Sequence, residues 1–499
     1  MALLATADGF IGGIPPEVWI LIATCCEDCQ TQAQLRATSH ILQAIFDKPG
    51  IWHIARIRVV HNFIQLPRRG HLEPIQWLSA TFAIIPSEAR AYDNSALSVA
   101  CANGHLQVAQ WLAQTFELTA EDARTDDNRA LRKACMNGHL EAAQWLVRMF
   151  ELTEEDARAY DNGALCEACV NGHLTIAQWL TEEFELTEED ARANDNLALR
   201  TACERGHLAV AQWLAEEFSL TAEDARANDN EALRWACANG HLKVAQWLAQ
   251  TFSLTVEDAR VGGNWALGHA CANGHLTVVQ WLVKEFELTV EDARADTHSA
   301  LRHACANGHL AVAQWLVKTF ELTVEDARAE DHWILGHVCE NGHLEVAQWL
   351  TEEFSLTVED ARATNNEALR GACAHGHLKV AQWLACEFKL TAEDARAEDN
   401  WALCYACYNG HLAVAQWLAQ TFALTAEDAS ANSSRALRWA CENGCLEIAQ
   451  WLVKEFALTA KDVHVYNNYA LNKAHANGHL DVVQWLEQTF NITEAELEK

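Results

Sequence analysis

An all-α repeat solenoid is the fold class this sequence predicts, and three observations predict it. The block A-L-x-x-A-C-x-N-G-H-L-x-V-A-Q-W-L, clearest between Asn230 and Asp258, returns with its glycine at Gly104, Gly138, Gly172, Gly206, Gly240, Gly274, Gly308, Gly342, Gly376, Gly410, Gly444 and Gly478, always 34 residues apart. A decayed copy, GHLEPIQWL, stands at Gly70. A fixed period of roughly 20–50 residues marks repeats that bury their apolar faces only against their neighbours. Within each copy two stretches carry helical periodicity, and a third begins with a helix-start signal.

The elements of one repeat follow in order. Ala232 to Ala238 form a short first helix, with Leu233, Ala236 and Cys237 at i, i+3 and i+4. Asn239-Gly240 closes it, because glycine takes the left-handed conformation that ends a helix. In the second helix Val244, Ala245, Trp247, Leu248 and Phe252 make a wide apolar stripe. The Gln-Trp-Leu tryptophans on that stripe, from Trp77 to Trp485, are expected to be core. Thr255-Val256-Glu257-Asp258 then offers an N-cap followed by acids, which predicts one more helical turn through Arg260. Glu257-Asp258 and their counterparts read as a solvated, capped turn beside an arginine.

Helix, Gly-His turn, helix, at about this period, resembles the ankyrin repeat, a unit of roughly 33 residues with T-P-L-H-x-A before the Gly-His. Ala232-Leu233-Arg234 stands where P-L-H would be, and Ala236-Cys237 where that family has its alanine pair. This chain departs by one extra residue and by L-T-x-E-D-A-R in place of the hairpin sequence, which leaves the finger between repeats open to a hairpin or a helix. The resemblance covers residues 60–490 and implies a groove that grips protein partners.

Residues 1–66 do not fit the lattice. Pro15-Pro16-Glu17 opens a helix in the usual way, Gln34 to Phe46 reads as another, and Asp47-Lys48-Pro49-Gly50 turns the chain before Ile51-Trp52. P-P-E-V-W-x-L-I, a polar break, a helix and D-x-P-x-I-W resembles the F-box. That resemblance implies docking on the SKP-type adaptor of a cullin–RING ubiquitin ligase, with Pro15, Val18, Trp19, Leu21, Ile22 and Trp52 on the adaptor surface. The segment departs at Cys25-Cys26-Glu27-Asp28-Cys29 and Ala37-Thr38. The other reading is a helical cap that seals the array. The domains expected are thus an F-box-like 1–66 and an array over 67–499, made of a partial repeat at 67–92 and twelve repeats over about 93–499. The combination resembles F-box and ankyrin-type proteins of protists and large DNA viruses.

Composition narrows the partners. Sixty-nine acidic against 36 basic residues give a formal charge of −33, which argues against nucleic acid and anionic membranes. The sequence has no apolar run long enough to cross a membrane, and no charged leader precedes the apolar letters of residues 1–13. A monomeric, cytoplasmic or nuclear protein is expected. Of 18 cysteines, eleven share one column, Cys101 through Cys441. Stacked helices about 8–10 Å apart exceed the ~7 Å Cα reach of a disulfide, so these are small buried side chains of a reducing compartment.

Columns that drift between copies are free for other uses. Nine, five and two residues before each glycine lie at i, i+4 and i+7, on one face of the first helix. Those columns carry Trp235, Trp265, His269, His303, Trp333, His337, Trp401, Tyr405, Tyr408 and Trp439, and aromatic rings of this kind anchor interfaces. They are the candidate groove residues for a protein target. Column −9 tryptophans recur every second repeat, each with a smaller residue three places on: Gly268, Gly336, Cys404. Arginine at that place accompanies a column −9 without a bulky ring, which suggests that the two compete for one space on the helix.

Catalysis and metal binding find little footing. Cys-x₃-His recurs ten times, but a zinc site needs four ligands converging on one point, and a pair on every rung reads as core cysteine plus helix-start histidine. Phosphate loops, serine elbows and zincin motifs do not occur. The expectation is no enzyme activity, no cofactor and no metal.

Overall fold

The computed structural model describes residues 60–61, 63–295 and 300–490, the side chains of 329–333 excepted. Pro15, Val18, Trp19, Leu21, Ile22 and Trp52 of the F-box-like segment lie outside the described residues. The chain divides into two compact bodies, one running to Ala236 and including Lys243–Leu254, the other made of Cys237–Leu242 and the chain from Thr255. Every element among the described residues is a helix, and none is long and apolar enough to cross a membrane.

The repeat that begins at Thr357 shows how the elements form. Thr357 is extended (φ −110°, ψ 177°) and starts a helical turn at Val358. Its backbone N–H and hydroxyl donate to Asp360 Oδ2 at 2.7 and 3.0 Å, the half of a capping box in which the third helical residue satisfies the cap. Thr364, Asn365 and Asn366 then take φ of 51°, 58° and 61°. Three successive left-handed residues reverse the chain into the first helix. That conformation costs about 1–2 kcal/mol per residue, least for Asn and Asp, which is why those letters recur here. The first helix ends at Ala374, Gly376 turns the chain at φ +77°, and the second helix is Leu378–Glu387. The finger is therefore helical and not a hairpin, one right-handed turn followed by one left-handed turn.

The apolar stripes meet as expected. Leu369, Ala372 and Cys373 from the first helix are buried with Val380, Ala381 and Leu384 from the second. The cysteine column, Cys101 through Cys441, is buried and unbridged, and burial pushes the Cys203, Cys271 and Cys373 thiols far above their usual range. The thirteen Gln-Trp-Leu tryptophans depart from expectation. All are half-buried rather than core, each set edge-on against the phenylalanine five residues later, as Trp281 is on Phe286 at 5.7 Å between centroids. The indole covers that phenylalanine from the solvent side, leaving Val278, Val279 and Leu282 as the interior.

The E-D-A-R turn is not the solvated turn that its charge suggests. Asp360 is 3% exposed, and Arg328 from the preceding repeat donates to both of its oxygens, Nε to Oδ1 at 2.7 Å and Nη2 to Oδ2 at 3.0 Å. The same fork joins Arg124 to Asp156, Arg158 to Asp190, Arg260 to Asp292 and Arg396 to Asp428. A third arm comes from the buried asparagine that closes the left-handed turn of the preceding repeat: Asn94 Nδ2 donates to Asp122 Oδ1, and Asn128 Nδ2 to Asp156 Oδ1, both at 3.2 Å. One carboxylate thus caps the start of its own helical turn and ties on the previous repeat. For Asp292 and Asp428 the arginine dominates and holds the carboxyl at about 2. At Asp360 burial is the largest influence and opposes ionisation, yet Arg328 and Thr357 together hold the carboxyl at about 2 as well.

The Gly-His turn makes a second tie. His105 Nε2 lies 3.1 Å from Arg68 O and His173 Nε2 3.0 Å from Met136 O, each carbonyl in the repeat before. The ring sits on the preceding glycine: a Cβ at Gly376 would lie 2.6 Å from His411 Nδ1. Glycine is required there both by its positive φ and by its neighbour's ring.

Two predictions follow from these ties. At the joint before Asp462 the arginine is replaced by Ser430 and the asparagine by Ser434, and Asp462, held by Thr459 N–H at 2.8 Å, is only half-buried. Ser430→Arg should restore the fork and slow amide exchange over 460–490 by about three- to tenfold; unchanged exchange would mean that the fork adds nothing at this joint. The histidines give the second. Desolvation lowers the pKa of His139, His207, His275, His343, His377 and His411 below 6.5. The unfolded chain therefore binds more protons, and stability is lost as pH falls through the unfolded value of about 6.5. The aspartates contribute above about 3.8 and are lost only below it. Thermal unfolding at pH 5.5 should begin at a lower temperature than at pH 7.5; an equal or higher midpoint would contradict the assignment.

Candidate functional site

The first helix begins where the left-handed turn ends, so its solvent-facing columns are set by that turn. In the arginine repeats the residue six places before the glycine closes the turn. Arg132 donates Nε to Asp127 O at 2.8 Å and Nη2 to Asp126 O at 2.9 Å. Arg200 does the same to Asp195 O and Asn194 O, and Arg438 to Ser433 O and Asn432 O. Asn472 Nδ2 reaches Asn467 O at 2.8 Å, and Cys404 Sγ lies 3.9 Å from Asp399 O.

These arginines lean toward the next repeat, not toward their own column −9. Arg370 Cζ lies 4.9 Å from the Trp401 ring centroid, and Arg438 Cζ 5.1 Å from that of Tyr469. Arg200 is ion-paired with Glu231 in the same position. The expected competition between ring and guanidinium on one helix is therefore replaced by pairing across repeats. Arg200, Arg234, Arg302, Arg370 and Arg438 are each followed by an aromatic or an acid at column −9 of the next repeat, whereas Arg132 is followed by Gly163 and pairs with Glu167.

The candidate groove residues gather into two clusters in the second body. Trp401, Tyr405, Tyr408 and Trp439 form one: Tyr405 lies 5.2 Å from both Trp401 and Trp439, and Tyr408 lies 5.4 Å from Trp439, all edge-on. Edge-to-face geometry of this kind is the favoured one for aromatic rings. Three of the rings are half-buried and Tyr408 is 37% exposed. Arg370 rests on Trp401 and Arg435 on Trp439, the latter at 5.5 Å. The second cluster holds Trp265, His269 and His303, with the Trp265 and His269 rings tilted by 31° at 3.7 Å between centroids and His269 stacked on His303 at 6.3 Å. A cavity of about 290 Å³ opens beside it.

Other residues stand apart from these clusters. His337 Nδ1 pairs with Glu340 at 3.2 Å on its own helix. Trp235, in the first body, donates its indole N–H to Glu231 at 3.0 Å. The Trp333 side chain lies outside the described residues. Among the described residues no three His, Cys, Asp or Glu side chains stand close enough to hold one metal. Cys445, which breaks the Gly-His pattern, is half-buried with Sγ 3.8 Å from Tyr408 O. The column −6 arginine was singled out in the sequence only as a rival of the rings. Its 31-residue offset to the next column −9, visible in Arg370/Trp401 and Arg200/Glu231, is the signal that identifies its partner.

Comparison with known families places these repeats. A model of ankyrin repeats (three copies) matches residues 61–156, 98–193, 165–258, 250–328, 386–462 and 403–495. A search of curated proteins finds no match. Most of the chain is covered by the matching segments, and the chain belongs to the ankyrin repeat family.

Proposed function

We propose that this chain is a protein-binding receptor whose target docks on the first-helix face, anchored by Trp401, Tyr405, Tyr408 and Trp439. The observation that carries the reading is the joined four-ring cluster, with Tyr408 open to solvent. Large rings held rigid by one another lose little entropy on binding, which is why such residues dominate interface energetics. The groove residues Trp265, His269, His303, Trp333 and His337 extend the surface within the second body, and Trp235 is a separate candidate contact on the first. Under the same reading residues 1–66 dock an SKP-type adaptor through Pro15, Val18, Trp19, Leu21, Ile22 and Trp52, making the chain the substrate receptor of a cullin–RING ubiquitin ligase. The resemblance of that segment to the F-box supports this part.

Each half has its own test. Proximity labelling with the full chain and with a Tyr408→Ala/Trp439→Ala variant should show the enriched proteins falling about tenfold or more in the variant, with the unfolding profile little changed. The same proteins at the same enrichment would remove the rings from the interface. Trp19→Ala with Leu21→Ala in the full chain should abolish pull-down of the SKP-type adaptor and leave thermal unfolding intact. Collapse of unfolding instead would make these residues part of a cap.

A further inference from the structure

The repeat around Gly268 lacks the arginine that closes its neighbours' turns. By register, a column −6 arginine there would donate to the carbonyls of Gly263 and Gly262, as Arg132 does to Asp127 and Asp126 and Arg200 to Asp195 and Asn194. Gly268 offers no side chain, and a Cβ built on it would find only His303 Nδ1, at 3.8 Å. The space is the cavity of about 290 Å³, lined among others by Gly262, Gly263, Trp265, Gly268, His269 and His303. Gly262 and Gly263 are themselves exposed, so the carbonyl side of the turn is open to a ligand.

We propose that this cavity receives an arginine side chain from a bound protein, in the place that the chain's own arginine fills in other repeats. The specificity comes from chemistry the chain repeats elsewhere. Two adjacent turn carbonyls, aligned to accept from Nε and Nη2 of one guanidinium, match the planar fork of arginine and not the single ammonium of lysine. Trp265 lines the same cavity, so a bound guanidinium would lie beside an indole as well as the turn carbonyls. The chain's charge of −33 draws basic partners.

Gly336 repeats the vacancy two repeats on. There the Glu367 carboxylate stands 3.3 Å from where a Cβ would be, the position in which Glu231 pairs with Arg200. No cation is paired with Glu367 among the described residues, so a second arginine of the same partner would find an acid waiting. This inference rests on the reading of the first-helix face as a docking surface, but it names the partner's chemistry and can fail independently.

The test uses the full chain carrying 5-fluorotryptophan and three small probes: N-acetyl-arginine amide, N-acetyl-lysine amide and N-acetyl-citrulline amide. The arginine probe should shift the Trp265 fluorine resonance saturably, with the other two at least about tenfold weaker. Gly268→Arg should abolish the shift and raise the unfolding temperature, since its own guanidinium then occupies the site; Gly268→Ala, with room for its Cβ, should keep it. Equal response to all three probes, no response to arginine in the wild-type chain, or an undiminished response in Gly268→Arg would each overturn the proposal. None of these outcomes depends on the target, whose loss from the Tyr408→Ala/Trp439→Ala variant tests the docking face separately.

Discussion

A buried aspartate that answers to two repeats at once is the constraint on which each body depends. A lone carboxylate in that position would be costly, because burial opposes its charge. It is tolerated because donors converge on it, five of them at Asp156: the threonine N–H and hydroxyl of its own turn, the arginine fork, and the asparagine amide of the repeat before. Surface ion pairs contribute little, but this geometry is bidentate with the acid side desolvated, where charge-assisted bonds are strongest. One group thus caps the start of a helix and joins two repeats; threonine, arginine and aspartate recur together at most of these joints, while the asparagine place is His298 before Asp326 and His332 before Asp360.

The left-handed turn is the unusual element, and its letters make sense only through that tie. Asn or Ser in its third position is buried and points into the joint, while the first two residues turn their carbonyls toward the column −6 side chain. Where arginine is absent at Gly268, the turn is built from Gly262-Gly263-Asn264, so strain and clamp are relieved together. The rings ride on this scaffold. Their columns vary because no joint needs them, yet the arginine stacked on Trp401 shows that even the variable face is organised across repeats.

Much of the fold was legible in the sequence, for a physical reason: a repeat exposes its own pattern twelve times, so periodicity separates core columns from free ones. Helix boundaries, the Gly-His turn and the cysteine column could be read in this way. Two misreadings share one cause. E-D-A-R looked like a solvated turn, and arginine and tryptophan looked like rivals on one helix, because each letter was read against its own repeat. Both partners lie one repeat away, at offsets of 32 and 31 residues, which a local reading of charge and helix faces does not test. The half-burial of the Gln-Trp-Leu rings was hidden differently, since an apolar stripe does not say where its rim falls. Of the candidate site, the columns were legible, but the division into two clusters was not, because ring-to-ring contact depends on the rotation between successive repeats.

The account stands on the claim that the arginine–aspartate fork couples neighbouring repeats rather than decorating them. A double-mutant cycle on Arg124 and Asp156, with each changed to Ala singly and together and stability followed by denaturant unfolding, measures that coupling directly. Asp156 is 7% exposed and held by Arg124 at 2.7 and 2.9 Å, so a coupling of about 1–2 kcal/mol is expected after allowance for the half-exposed guanidinium. Additivity of the two changes to within about 0.3 kcal/mol would contradict it.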